Sequence, residues 1–185
     1  EYVGRAIDRA LQRKLNLEVT TVPTTHFVTH CETVFLPHRE YVLVSFARSG
    51  NSPESVATFQ RVAEQFPRVK QAVITCNKDG TLARLAGQSE SSLCVLLPDE
   101  TNDKSLAMTS SFSSLALAGL SLGFADSFAS FEPVLDKSVA GAARVMAEYG
   151  GCLSDFAHLP FTRACYLGSN TLLGCMQEAR LKMQE

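Results

Sequence analysis

The stretch Tyr41-Val42-Leu43-Val44-Ser45-Phe46-Ala47-Arg48-Ser49-Gly50-Asn51-Ser52-Pro53-Glu54 decides how this chain is read. An apolar run of strand length empties into a Ser/Gly loop, and Ser52-Pro53 opens a helix. Ser52 is a favoured N-cap, Pro53 suits the first helical position, and Glu54 suits the first turn. A helix N-terminus presents N–H groups without intrahelical partners and a partial positive charge, so an anion is stabilised there. Ser49 and Ser52 add hydroxyl donors, Gly50 lets the backbone approach closely, and Arg48 can supply charge-assisted hydrogen bonds. Together these groups suit a phosphate. Ser-Pro-Glu alone reads more plainly as a capped helix whose serines bond their own backbone. The full string after a buried strand is a much rarer combination.

Outward from this loop, apolar spacing organises the rest of the chain. Gly4 to Leu15 carries Ile7, Leu11 and Leu15 at helical spacing, and Leu17 to Val22 alternates like a strand before Pro23. Pro53 to Gln65 is predicted helical, with Val56, Phe59, Val62, Ala63 and Phe66 on one face. Ala72-Val73-Ile74-Thr75 is a strand closed by the turn Asn77-Lys78-Asp79-Gly80. A short helix near Thr81 to Ala86 and the strand Leu93 to Leu97 follow. Pro98 to Lys104 is a polar loop, and a helix rich in small residues runs from about Met108 to Phe124. Pro133 to Phe156 reads as a helical connector. Ala164 to Leu167 is then a new strand, leading through Gly168-Ser169-Asn170 into a helix from Thr171 to Glu185. Strands alternating with helices imply an α/β fold, a parallel sheet with helices on both faces. Ligands of such sheets bind beyond the carboxyl ends of the strands, where Ser49 falls.

Composition narrows the function classes. The chain has 185 residues, 45% of them hydrophobic, and a formal net charge of -2. That charge gives no basic excess for nucleic acid or an anionic membrane surface, and no apolar run is of spanning length. The six cysteines, Cys31, Cys76, Cys94, Cys152, Cys165 and Cys175, include no C-x-x-C pair. Cys94 and Cys165 sit in apolar runs, so buried free thiols and a reducing cytoplasm are expected. His26, His30, His38 and His158 lack metal-ligand spacing, although His26 and His30 share a helical face. Both ends fall inside helical patterns, so the expectation is a piece of a longer protein.

Ser45 to Thr58 resembles the phosphosugar-binding signature of the SIS (sugar isomerase) domain, and most closely that of the AgaS group. That group comprises tagatose-6-phosphate ketose/aldose isomerases, also assigned as galactosamine-6-phosphate deaminases. Further matches are Val22-Pro23-Thr24-Thr25, Ile74-Thr75-Cys76-Asn77, Glu100-Thr101-Asn102-Asp103, Leu106 to Ser111, Tyr166-Leu167-Gly168-Ser169 and Gln177-Glu178-Ala179. The resemblance implies a flavodoxin-like three-layer αβα sheet. Residues 1–130 would form a first SIS domain lacking its first strand, 131–160 a connector, and 161–185 the start of a second SIS repeat. It implies that Arg48, Ser49, Gly50, Asn51 and Ser52 surround a sugar phosphate and that the loop before Thr109 approaches the ring. Ala47 stands where the signature carries a serine.

The resemblance also implies a chemistry. Aldose–ketose isomerisation moves a proton between C1 and C2 of an opened sugar, which a carboxylate shielded from water does well. Loss of an amine from a 2-amino sugar can use the same transfer, followed by hydrolysis of the imine, and no metal or organic cofactor is required. Glu185 falls on the position of the proton-shuttling glutamate in the related isomerase domain of glucosamine-6-phosphate synthase. The plainer reading makes Glu178 and Lys182 an ordinary i,i+4 pair and Glu185 a terminal residue. Asp103 and Glu100 are competing carboxylates, better read as part of a solvated loop. The resemblance further implies a homodimer or higher homo-oligomer. The alternative function is a non-catalytic phosphosugar-sensing module of a regulatory protein.

Overall fold

The structure, a computed structural model, describes all 185 residues. Three strands form one parallel sheet in the order β1-β2-β3: β1 (Val42–Ala47), β2 (Lys70–Thr75) and β3 (Ser92–Leu96). Val44 lies opposite Ala72, and Ile74 opposite Val95. The strand period of two then divides the apolar residues between the faces. Val44, Phe46, Ile74 and Val95 point to one side; Ala47, Val73 and Cys94 point to the other.

Each face is covered by helices whose apolar stripes match it. On the first, α1 (Tyr2–Leu15) and α5 (Ser110–Ser121) bring Val3 and Leu115 onto Ile74 and Cys76. On the second, α3 (Pro53–Gln65) and α4 (Thr81–Gly87) pack Phe59, Leu82 and Ala86 on Val73. Val73, Leu82 and Ile74 are almost wholly excluded from solvent, each burial stabilising the fold by about 1.5–3 kcal/mol. The sheet is therefore sandwiched as the alternation of elements requires. A third cluster joins α2 (Thr24–His30) to α3 through Phe27, Cys31, Phe35 and Val62, with the Phe35 ring 4.9 Å from Phe66 and 5.2 Å from Tyr41.

Two predicted strands are not strands. Leu17 to Val22 and Ala164 to Leu167 carry strand-like side-chain patterns, yet neither is paired. A strand exists only in a ladder, and neither segment finds a ladder partner among these residues. The expectation that Cys94 and Cys165 are buried also fails, for Cys165 because its segment is unpaired and for Cys94 because its strand is at the sheet's edge. Cys94 lies on an edge strand and is half-buried, Cys165 is exposed, and the fully buried thiols are Cys31 and Cys76. Smaller adjustments are a 3-10 turn at Asp99–Thr101 inside the expected polar loop, and the end of α7 (Thr171–Lys182) three residues before Glu185.

The segment expected to be a connector forms the single long helix α6 (Glu132–Ala157), none of whose residues is buried. Beyond it α7 returns to pack on α1. A Cβ on Gly174 would meet the backbone N of Ala6, and would lie 2.7 Å from both the Tyr2 carbonyl oxygen and the Arg5 carbonyl carbon. Only glycine lets these two helices approach so closely. No helix is long and apolar enough to cross a membrane.

Candidate functional site

The Arg48–Ser52 loop lies where β1 ends and α3 begins, at the carboxyl edge of the sheet. Gly50 turns the chain at φ +65°, a left-handed conformation that other residues adopt only with strain. Ser52 holds the N-cap position in extended conformation, but its side chain makes no capping bond. Its hydroxyl donates instead to Ser55 Oγ at 2.6 Å. The Glu54 and Ser55 backbone N–H groups have no hydrogen-bond partner in the chain. Ser49 Oγ accepts only a long bond, 3.3 Å, from the Asn51 N–H. The loop thus leaves the Ser49 and Ser55 hydroxyl protons and two backbone N–H groups open at one helix N-terminus, a donor set that suits an oxyanion.

The turn after β2 fastens the loop from behind. Asn77 Nδ2 donates to the Ser49 carbonyl at 2.9 Å, the Leu82 N–H donates to the Gly50 carbonyl at 3.0 Å, and Thr75 Oγ1 donates to the Arg48 carbonyl at 3.4 Å. Asn51, expected to face a ligand, turns its carboxamide oxygen toward α4, where it accepts from the Thr81 N–H at 2.9 Å and the Thr81 hydroxyl at 3.0 Å. Its NH2 group remains outside these bonds. Gly80 is wedged beneath the loop, because a Cβ there would lie 2.5 Å from the Ser49 carbonyl oxygen. Sequence reading picked out Asn77 as part of a matching motif but gave it no role. The backing role of Asn77, Thr81 and Gly80 depends on a contact across about 30 residues that no local pattern encodes.

Arg48 reaches sideways, its Nη1 donating to the Asp103 carbonyl at 2.9 Å. Asp103 Oδ2 in turn accepts the Ser111 N–H at 2.7 Å. Thr109 occupies the N-cap position of α5 without a capping bond from its own side chain, so Asp103 supplies that cap from outside the helix. The structure therefore joins Arg48 to the start of α5 through Asp103. Asp103 is an anchoring group, not the freely solvated loop carboxylate that the sequence suggested. Beneath it Cys76 is buried, and desolvation pushes its thiol pKa up despite a hydrogen bond from Thr101.

On the other side of Ser52 lies an open cavity of about 230 Å³ lined by Glu1, Pro23, Thr24, Thr25, Ser52, Glu54 and Ser55. Thr24, Thr25 and Ser55 were not singled out as site residues from sequence; the Val22-Pro23-Thr24-Thr25 match was the one available signal. Glu185 lies in a different cluster. Lys182 Nζ sits 2.7 Å from Glu185 Oε2 and 3.1 Å from Glu178 Oε1, with all three side chains less than one-fifth exposed. Burial works against the Lys182 ammonium, but hydrogen bonds to Glu185 and Glu178 outweigh it and hold its pKa above the ordinary value. Glu185 forms no hydrogen bond or ion pair with the Arg48–Ser52 loop. The cluster and the cavity are linked through α1, which carries Gly174 of α7 on its first turn and lines the cavity with Glu1. His26 bonds Thr33 Oγ1 at 2.9 Å and stands 5.7 Å ring-to-ring from His30. No group of three His, Cys, Asp or Glu side chains is placed to hold a metal ion.

The chain is an α/β fold, a parallel sheet between helical layers, with a serine-rich loop ending in a helix N-terminus at the sheet's carboxyl edge. In sequence it is similar to proteins named AgaS. The chain is 34% identical over 187 residues to "D-galactosamine-6-phosphate deaminase AgaS" of Escherichia coli O157:H7, and 33% identical to the protein of the same name from Shewanella sp. (strain ANA-3). All of this chain is covered in both alignments, with 48% and 47% of the relatives, so the chain spans about half the length of the curated relatives it matches. The crystal structure of tagatose-6-phosphate ketose/aldose isomerase from Escherichia coli superposes on the whole chain with a TM-score of 0.84 at 34% identity, over 50% of that chain. A Clostridium novyi NT structure superposes with a TM-score of 0.91 at 32% identity, over 47% of its length. No family model matches the chain.

Proposed function

We propose that this chain supplies the phosphate-binding part of an enzyme that isomerises or deaminates a hexose phosphate such as tagatose 6-phosphate or galactosamine 6-phosphate. One observation carries the reading. The Ser49 and Ser55 hydroxyl protons and the Glu54 and Ser55 N–H groups lie open around a glycine turn at the carboxyl edge of a parallel sheet, with Arg48 the residue before Ser49 in the chain. A phosphate dianion fits that donor set, and an uncharged ligand does not need it. The names of the relatives supply the sugar.

Phosphate bound at this loop tethers the sugar, and the cavity beside Ser52 gives its carbons a polar path toward α1. In the proposed reaction a carboxylate removes the C2 proton of the open aldose, and the enediol is reprotonated at C1 to give the ketose. With a 2-amino sugar the same shift gives a C2 imine, which water hydrolyses to ketose and ammonia. Glu185 is the residue assigned to this transfer, and the Lys182 ammonium fixes its orientation. We assign the protein to the cytoplasm and to a homodimer or higher homo-oligomer, with no metal or organic cofactor in the reaction. The second reading, a phosphosugar sensor without turnover, is favoured by one feature: Glu185 is tied to Lys182 and makes no bond to the loop.

Calorimetric titration of the full-length protein with galactosamine 6-phosphate, together with an ammonia assay, tests both readings. The Ser49→Ala/Ser52→Ala variant is expected to lose hexose 6-phosphate binding. Unchanged affinity would remove the phosphate-loop reading. Tight binding without ammonia release or ketose formation would select the sensor.

A further inference from the structure

The proposed phosphate loop does not hold Arg48 by itself. The Arg48 side chain leaves the loop and donates through Nη1 to a main-chain carbonyl 55 residues downstream, that of Asp103. The position of that carbonyl depends on the Asp103 side chain, whose Oδ2 accepts the Ser111 N–H at 2.7 Å. Ser111 is buried, 3% exposed, and belongs to the first turn of α5. α5 has no cap from its own N-cap residue, Thr109, so this carboxylate is its side-chain cap. One residue therefore grips a helix end with its side chain and an arginine with its backbone. The Asp103 and Ser111 ends of the mostly exposed segment 104–110 are drawn together by the same bond.

We infer that Asp103 is a positioning residue for phosphosugar binding: it acts through Arg48, fixing the guanidinium at the side of the loop and coupling it to Ser111 at the head of α5. The inference rests on the phosphate reading of the loop. A guanidinium has five N–H donors, and using one on a fixed carbonyl orients the remaining four without neutralising the charge. A carboxylate partner would instead compete with phosphate for that charge. The Asp103 carboxylate is occupied elsewhere, by an N–H at a helix N-terminus, where a negative charge is stabilised. Such an arrangement lowers the ordering cost of the arginine on binding.

The test is a double-mutant cycle on the full-length protein, read by calorimetric titration with a hexose 6-phosphate. Asp103→Ala is expected to weaken binding about 5- to 10-fold, the scale of one net hydrogen bond. Asp103→Asn, which keeps an acceptor for the Ser111 N–H, is expected to restore most of that affinity. In an Arg48→Ala background, Asp103→Ala should have little further effect, because the residue acts through Arg48. An equal loss in both backgrounds, or no loss in either, overturns the inference while leaving the phosphate loop standing. If Ser49→Ala/Ser52→Ala also binds like the wild type, the loop reading itself falls. Amide hydrogen exchange at Ser111 reports the bond without any ligand. It should quicken in Asp103→Ala, and unchanged protection there overturns the inference even if the variant binds poorly.

Discussion

Gly80→Ala gives the sharpest test of how the loop is built. Gly80 has an ordinary extended backbone (φ -70°, ψ 149°), so alanine is not strained by its torsions. The obstacle is space. The new Cβ would lie 2.5 Å from the Ser49 carbonyl oxygen and 3.2 Å from the Asn77 carbonyl oxygen. Both neighbours are main chain and cannot rotate away, so the Ser49 peptide must retreat by roughly 1 Å to reach ordinary contact. That retreat strains the bonds to Ser49 from Asn77 and to Gly50 from Leu82. Overpacking of this kind costs about 1–3 kcal/mol, which for a chain of this length lowers the melting temperature by about 4–8 °C at 2 kcal/mol. Hexose 6-phosphate affinity should fall with it, because the moved peptide carries the Ser49 side chain. Gly87→Ala is the control: it lies at the end of α4 with nothing within 4 Å, and alanine in a helix is worth about 0.5–1 kcal/mol over glycine. Thermal unfolding and phosphosugar titration of the two variants check the reasoning. A Gly80→Ala protein that melts and binds like the wild type would refute the claim that the turn after β2 sets the loop's position.

Two further outcomes are expected. Gly174→Ala drives a Cβ into the Tyr2–Ala6 backbone, so α1 and α7 must part. Urea unfolding should show a loss of about 1–3 kcal/mol, with faster amide exchange through residues 171–182; equal stability would mean the two helices are not in intimate contact. Stability should also decline in alkali. Burial raises the pKa of Cys31, Cys76 and Cys94 above 9.0, and ion pairing raises that of Lys182 above 10.5 despite its burial. The folded state thus holds these protons more tightly than the unfolded chain. Their contribution is complete below pH 9.0 for the thiols and below pH 10.5 for Lys182, and it is lost as pH rises through the folded-state values. Urea unfolding at pH 8 and pH 10 checks this, and a wild-type protein more stable at pH 10 contradicts it.

The residues differ in how much of this was legible in the chain itself. The strand at Tyr41 to Phe46 and the helix from Pro53 announce themselves through apolar run, N-cap position and fixed proline torsion, all within a dozen residues. The same local signals misled at Leu17 to Val22 and Ala164 to Leu167, because alternation shows that a segment could pair, not that a partner is present. Cys165 followed its segment into solvent. Ser52 was placed correctly at the N-cap, yet its hydroxyl turns to Ser55 instead of the helix, a choice between two nearly equivalent hydrogen bonds that no spacing reveals.

What the sequence by itself determined is the alternation of strands and helices, the parallel sheet it entails, and the serine–glycine loop at the strand's carboxyl end. These follow from short-range rules of torsion, capping and burial. What only the tertiary structure decided is how that loop is held: Asn77 and Thr81 from behind, Asp103 from the side through Arg48, and Gly80 beneath. Each is a hydrogen bond or close approach between residues about 30 to 55 positions apart. Such contacts exist only once the sheet has brought the ends of its strands to one edge.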